Sequence, residues 1–173
     1  MAVCCPELGT IEKFCGGVNA PGLERQLGIA CGDAITAIPA AVDHVVTGPL
    51  TYRAADPNAS PAIPAGKFFA WNFAKEDQEF VSEQDENGLW KTSVKIFIPQ
   101  MTAEKSNVLN NSQGDDKISV VTDRNGRQRL VGSLKEGCSI KVREQATPKN
   151  GYLVEIMWES AYSPYFFSGT ITY

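Results

Sequence analysis

The sequence predicts a mainly β fold: an antiparallel β-sandwich or barrel with one short flanking α-helix over about residues 103–113. Three observations carry this. Short segments alternate apolar and polar residues with the period of two that a strand face requires. Asn-Gly, the strongest short hairpin signal, occurs at Asn87-Gly88, Asn125-Gly126 and Asn150-Gly151. Helical and strand patterns do not alternate as βαβ units do, which argues against a parallel nucleotide-binding sheet.

The elements follow in order. Residues 1–22 are rich in Gly, Pro and Cys, have no clean period, and read as an N-terminal arm. A single domain, 23–173, follows. Its first strand starts at Gly22, with Leu23, Arg25, Leu27, Ile29 and Cys31 on one side. A second strand is expected over about Val42–Ala54. DPNASPAIPAG, residues 56–66, holds three prolines and reads as a loop, because proline donates nothing to a ladder. Phe69, Trp71 and Phe73 alternate with small residues as in a half-buried strand. Glu79–Glu83 and Leu89–Pro99 form a hairpin across Asp85-Glu86-Asn87-Gly88, with a type I′ turn expected. Trp90, Thr92, Val94, Ile96 and Ile98 share one face; Lys91, Ser93 and Lys95 share the other.

Thr102 is placed to cap the helix and Gly114 to close it, with Ala103, Val108 and Leu109 as a thin apolar side. Lys117–Thr122 then meets Gln128–Leu134 across Asp123-Arg124-Asn125-Gly126. Ser139–Gln145 turns at Asn150-Gly151 into a strand with Tyr152, Val154, Ile156 and Trp158 on one face. Tyr165–Tyr173 closes the chain as a strand that ties down its end. The count is about nine strands.

The 173 residues (18.8 kDa) suffice for one domain with a real core. A net charge of -4 argues against a protein built to grip nucleic acid, though not against a surface past which DNA slides. No apolar run is long enough for a membrane helix, and MAVCCPELGT lacks the features of a signal peptide, so the expected setting is the cytosol. Five cysteines, at 4, 5, 15, 31 and 138, are an odd number at spacings unlike those of zinc sites. Reduced thiols acting as small apolar residues are the expectation. His44 is the only histidine, and a Cys–His nucleophile pair has no local signature.

Phosphate-loop, dinucleotide, zinc-protease and nucleophile-elbow motifs are missing. Glu76-Asp77, Asp85-Glu86 and Asp115-Asp116 flank predicted turns and read as solvated acids. Asp115, Asp116 and Asp123 lack the alternation of a calcium loop. Trp71, Trp90, Trp158, Phe166 and Phe167 read as sheet core in preference to a base-stacking platform, since their neighbours are neutral or acidic. Arg124, Arg127, Arg129 and Lys117 read as a solvated hairpin face, with a contact patch as the alternative.

The order of landmarks resembles the major tail (tail tube) proteins of siphovirus-like phages and prophages of Bacteroidetes. The matching pieces are CCPEL and FCGG, GLERQLGIACGDAITAIP, the strand–ENG–strand hairpin, the short polar helix, VVTDRNGRQRLVGSLKEG and PKNGYLVEIMWESAYSPYFFSGTI. Residues 40–65 stand outside them. The resemblance implies a sandwich or barrel with a flanking helix, and a homo-oligomer of hexameric rings stacked into a tube that conducts viral double-stranded DNA without sequence-specific binding. It further implies other phage tail proteins as partners, a place in the virion tail after assembly in the host bacterial cytoplasm, no cofactor and no catalysis. In such a tube the lumen is expected to be acidic or neutral. Glu79, Glu83, Asp85 and Glu86 are the candidate lumen-facing acids, against which Lys91 and Lys95 count. Cys4, Cys5, Pro6 and Phe14 of the arm, with Pro57, Pro61 and Pro64 of the loop, are candidates for reaching a neighbouring ring. Competing readings are a decoration or tail-completion protein, a monomeric carbohydrate binder stacking sugars on Trp90 or Tyr162, and, with least support, an enzyme.

Overall fold

Trp90–Pro99 and Gly151–Ser160 pair along their whole length, from Trp90 opposite Ser160 to Pro99 opposite Gly151. In both, every second residue is buried: Thr92, Val94, Ile96 and Ile98 on one, Tyr152, Val154, Ile156 and Trp158 on the other. Each fully buried aliphatic side chain contributes roughly 1.5–3 kcal/mol, so this alternation fixes the register of the longest ladder.

A computed structural model describes residues 23–75 and 77–173. Its strands are β1 (Leu23–Cys31), β2 (Ile35–Ala37), β3 (Ala41–Val42), β4 (Val45–Val46), β5 (Thr51–Tyr52), β6 (Phe69–Asn72), β7 (Glu79–Gln84) and β8 (Trp90–Pro99), followed by β9 (Gly114–Asp123), β10 (Gln128–Val131), β11 (Cys138–Gln145), β12 (Gly151–Ser160) and β13 (Tyr165–Phe167). One α-helix, α1 (Ala103–Ser112), separates β8 from β9. Eleven strands form one sheet in the order β3-β4-β13-β10-β9-β11-β12-β8-β7, with β1 also on β9 and β6 on β1; β2 and β5 form a separate pair. All pairings are antiparallel except β4 with β13. The path ends at β3 and β7, so no closed barrel forms among the described residues.

β9 organises the interior. One of its edges pairs with β1, and the other pairs in succession with β10 and β11. Its Val121 joins one core with Leu27, Ile29, Trp71, Ile96, Ile156 and Leu109, whereas Ile118 and Val120 join a second with Ala30, Phe68, Leu130 and Phe167. β1 from Leu27 onward and β6 are therefore covered on both faces, not one: Gly28, Ala30, Ala70 and Asn72 are buried along with Leu27, Ile29 and Trp71, while Glu24 and Gln26 at the start of β1 stay exposed.

Several expectations about the elements need correction. The single strand expected over Val42–Ala54 is three two-residue strands, because Asp43 and His44 turn the chain with positive φ (50° and 64°) and Gly48-Pro49 separates β4 from β5. The expected strand Tyr165–Tyr173 ends at Phe167. Beyond it Thr172 accepts from the Phe68 N–H and donates to the Tyr52 hydroxyl. The third Asn-Gly does not form the centre of its turn: Asn150 ends the β11–β12 connection and Gly151 is the first residue of β12, where a Cβ would stand 2.4 Å from the Ile98 carbonyl. Among the described residues the strands number thirteen, not about nine, because two-residue strands show no periodicity. Thr102 caps α1 as expected, its hydroxyl accepting from the Lys105 N–H at 3.2 Å. Leu109 is fully buried and Val108 half-buried, but Ala103 is exposed, and Gly114 opens β9 in place of closing the helix.

Candidate assembly surface

β7 ends the sheet, and among the described residues no strand pairs with its outer edge. Its hairpin with β8 sets Glu79 opposite Lys95, Val81 opposite Ser93 and Glu83 opposite Lys91. The same rows continue across β12 and β11: Lys95 faces Glu155, which faces Lys141, and Lys91 faces Glu159. These positions fall on the side opposite the buried residues, so the outward face carries stripes of acid and base in alternation. Glu79 and Lys95 form an ion pair at 3.0 Å, and Ser93 donates to Glu155 at 3.0 Å. Lys91 lies 3.1 Å from Asp85. The lysine's hydrogen bond holds the Asp85 carboxyl below the usual carboxylate range, and Asp85 with Glu159 and Glu83 raises Lys91. Opposite charges directly across a ladder stabilise it modestly, by roughly 0.2–1 kcal/mol a pair.

Each candidate acid thus has a definite place. Glu79 is exposed and paired with Lys95, Glu83 is exposed across from Lys91, Asp85 is paired with Lys91, and Glu86 is exposed at the hairpin tip. The structure brings them onto one edge hairpin, where two lysines, Lys91 and Lys95, balance half of their charge. Glu155, Glu159 and Lys141 complete the stripes and are not among the sequence candidates. Their signal is parity, since each alternates with a buried residue on its own strand.

The turn is built by its aspartate. Asp85 Oδ1 accepts from the N–H of Asn87 (2.9 Å) and of Leu89 (3.0 Å), and the Asp85 carbonyl accepts from Gly88. Asp123 repeats this with Asn125 (2.8 Å), Arg127 (2.9 Å) and Gly126. Only the glycines take positive φ, +82° at Gly88 and +74° at Gly126. Neither turn is therefore the expected type I′, in which both central residues would do so.

Arg124 and Arg127 stand at the tip of the β9–β10 hairpin, while the Arg129 guanidinium lies over the rings of Phe166 (4.2 Å) and Phe80 (5.4 Å). Lys117 does not belong to that surface: it is buried and its ammonium donates to the Asp115 carbonyl at 2.9 Å. Trp71 and Phe167 are core, and Trp158 is buried with its indole N–H donating to the Glu136 carbonyl at 2.8 Å. Trp90 and Phe166 are half-buried, whereas Tyr162 is 61% exposed.

Pro57, Pro61 and Pro64 are exposed on a loop closed by paired backbone hydrogen bonds between Asp56 and Ile63, both 2.9 Å. Arg53 anchors its base, reaching Asp33 at 2.9 Å and the Pro64 carbonyl at 3.2 Å. The arm candidates Cys4, Cys5, Pro6 and Phe14, like Glu76, lie outside the described residues. Cys138 is a free thiol whose pKa burial pushes up to about 12, but Cys31 is disulfide-bonded, which corrects the expectation of reduced thiols there. His44 Nε2 meets the Ser163 hydroxyl at 2.8 Å. No cluster of three or more metal-ligating side chains occurs among the described residues, and none of their helices is long and apolar enough to cross a membrane.

Comparison of the chain with family models, with curated proteins and with solved structures returns no match.

Proposed function

We propose that the chain is a structural subunit that assembles with copies of itself into rings, stacked into a tube that conducts DNA, as the resemblance to phage tail tube proteins implies. The observation that carries this reading is β7, an edge strand whose outer ladder pairs with no strand among the described residues and whose outward face alternates acid and base. Unpaired N–H and C=O groups along a strand are a template for another strand, and a ring of subunits joined through them leaves no edge open. The joint is heterologous and closes only if its rotation does. The finer architecture we assign is a β-sandwich, with β1 and β6 covering the buried face of β11, β12 and β8 through the core they share.

The striped face also bears on the DNA. A surface with excess lysine releases counterions when it binds phosphate, and so holds the duplex. Where each lysine already faces a glutamate, that gain is small and a duplex moves past without sticking. In this reading the proline-rich loop and the arm contact neighbouring rings, other tail proteins complete the particle, and the assembly belongs to the virion tail after being built in the host cytoplasm. The chain does no catalysis.

Negative-stain images of the purified protein at rising concentration test the reading. Rings or tubes are expected. A chain that stays monomeric at high concentration overturns it, and a tryptophan fluorescence change on adding glycan to that monomer would favour sugar stacking at the exposed Tyr162.

A further inference from the structure

The two Asp-x-Asn-Gly hairpins carry opposite charge. The β7–β8 tip holds Glu83, Asp85 and Glu86 against Lys91, whereas the β9–β10 tip holds Arg124 and Arg127 against Asp123, with Arg129 further along β10. Within each tip the aspartate is already engaged by its own turn. What remains free to meet a partner is therefore acidic on one hairpin and basic on the other. Glu86 and Arg127 are both exposed, and neither has an ion pair among the described residues.

β7 relates the two tips in space. Its beginning packs on the basic hairpin: Gln78, Phe80, Asp123 and Arg129 line one small cleft, and Arg129 lies over Phe80. Its far end runs into the acidic turn. From Phe80 to Asp85 is five residues of extended chain, about 17 Å, so the tips do not meet within one molecule. One edge strand thus has a basic end, at which its own Glu79 is neutralised by Lys95, and an acidic end.

Resting on the proposed self-assembly, we infer that the acidic β7–β8 tip of one copy docks on the basic β9–β10 hairpin of the next, setting the direction and register of the subunit contact. The occupant is a second copy because one chain supplies both halves of the complementarity, and its two halves lie at opposite ends of the strand whose outer edge no described strand covers. A head-to-tail contact of this kind repeats without limit or closes into a ring. The charges steer the approach, and reversing either one sets like charges together.

The experiment compares the full chain with the variants Glu83→Lys/Glu86→Lys and Arg124→Glu/Arg127→Glu. Sedimentation velocity and negative stain read assembly, and thermal unfolding confirms that each variant is folded. Each variant alone is expected to raise the concentration needed for assembly by about tenfold or more, equivalent to about 1.4 kcal/mol. An equimolar mixture of the two is expected to assemble again, since every reversed tip then has a reversed hairpin to meet. All four substitutions in one chain should likewise restore assembly. If the wild-type chain assembles and both variants do so equally well, the tip contact is overturned while the proposed function stands. If the arginine variant assembles normally but loses retention on double-stranded DNA, the basic hairpin serves phosphate and the inference is again overturned. A wild-type chain that never assembles overturns both.

Discussion

The hairpins at Asp85-Glu86-Asn87-Gly88 and Asp123-Arg124-Asn125-Gly126 share a backbone and differ in everything built on it. In each, an aspartate gathers two backbone N–H groups and a glycine takes the left-handed position. One turn joins an edge strand to its neighbour; the other leaves β9, which pairs with three strands and feeds two cores. The residues that form a turn do not decide what it does. Neighbours along the sheet decide its share of stability, and the two free positions at the tip decide its charge.

The largest expected contrast lies in the strands. Ile118 of β9 is fully buried, and Ile118→Ala should cost about 2–5 kcal/mol through lost burial and the cavity left behind. Val81 of β7 is 38% exposed, and Val81→Ala should stay within about 0.5 kcal/mol. Urea unfolding of both variants measures the difference, and equal losses would place β7 inside the cooperative core. Smaller and more nearly matched are the turn substitutions. Asp85→Ala and Asp123→Ala each release two backbone donors that water can reach, at about 1 kcal/mol apiece. Asp→Asn at either position should retain most of that, because the amide oxygen still accepts. Gly88→Ala and Gly126→Ala should cost about 1 kcal/mol each, wholly from the left-handed φ. Nothing obstructs the added methyl: the nearest atom at Gly88 is 3.7 Å away, and none lies within 4 Å at Gly126. A large inequality between the two glycines would mean that the turns are not the same structure.

Alternation makes β8, β12 and the capped helix legible in the sequence because one face of each differs in polarity from the other. It fails at β1 and β6, where Gly28, Ala30 and Ala70 are small enough to pass for a solvent face yet lie under a second core. Two-residue strands such as β3 and β4 have no period to detect, and their turn depends on positive φ at Asp43 and His44, a conformation uncommon outside glycine even though Asp and His adopt it more readily than most. The acids of the β7–β8 hairpin are visible as residues, but their balance is not. The rows Glu79–Lys95–Glu155–Lys141 and Glu83–Lys91–Glu159 exist only once strands distant in the chain are set in register.

The finest difference between the hairpins is the lysine that only the edge turn has. Asp85 is lowered chiefly by its hydrogen bond from Lys91, and Lys91 is raised by Asp85. Stability linked to Asp85 is therefore present above the ordinary carboxylate value of 3.8 and is lost as pH falls through the depressed folded value. Stability linked to Lys91 is present below 10.5 and is lost as pH rises through the raised one. Both groups face solvent, so salt screens the pair and its effect on unfolding should fall below that of the strand and turn substitutions. NMR titration isolates it. In Lys91→Met the Asp85 carboxyl should titrate closer to 3.8 than in the parent chain, while the turn's own N–H donors to Asp85 hold part of the lowering in place. An Asp85 titration unchanged by the substitution would assign the whole shift to the turn and would overturn the lysine's part in it.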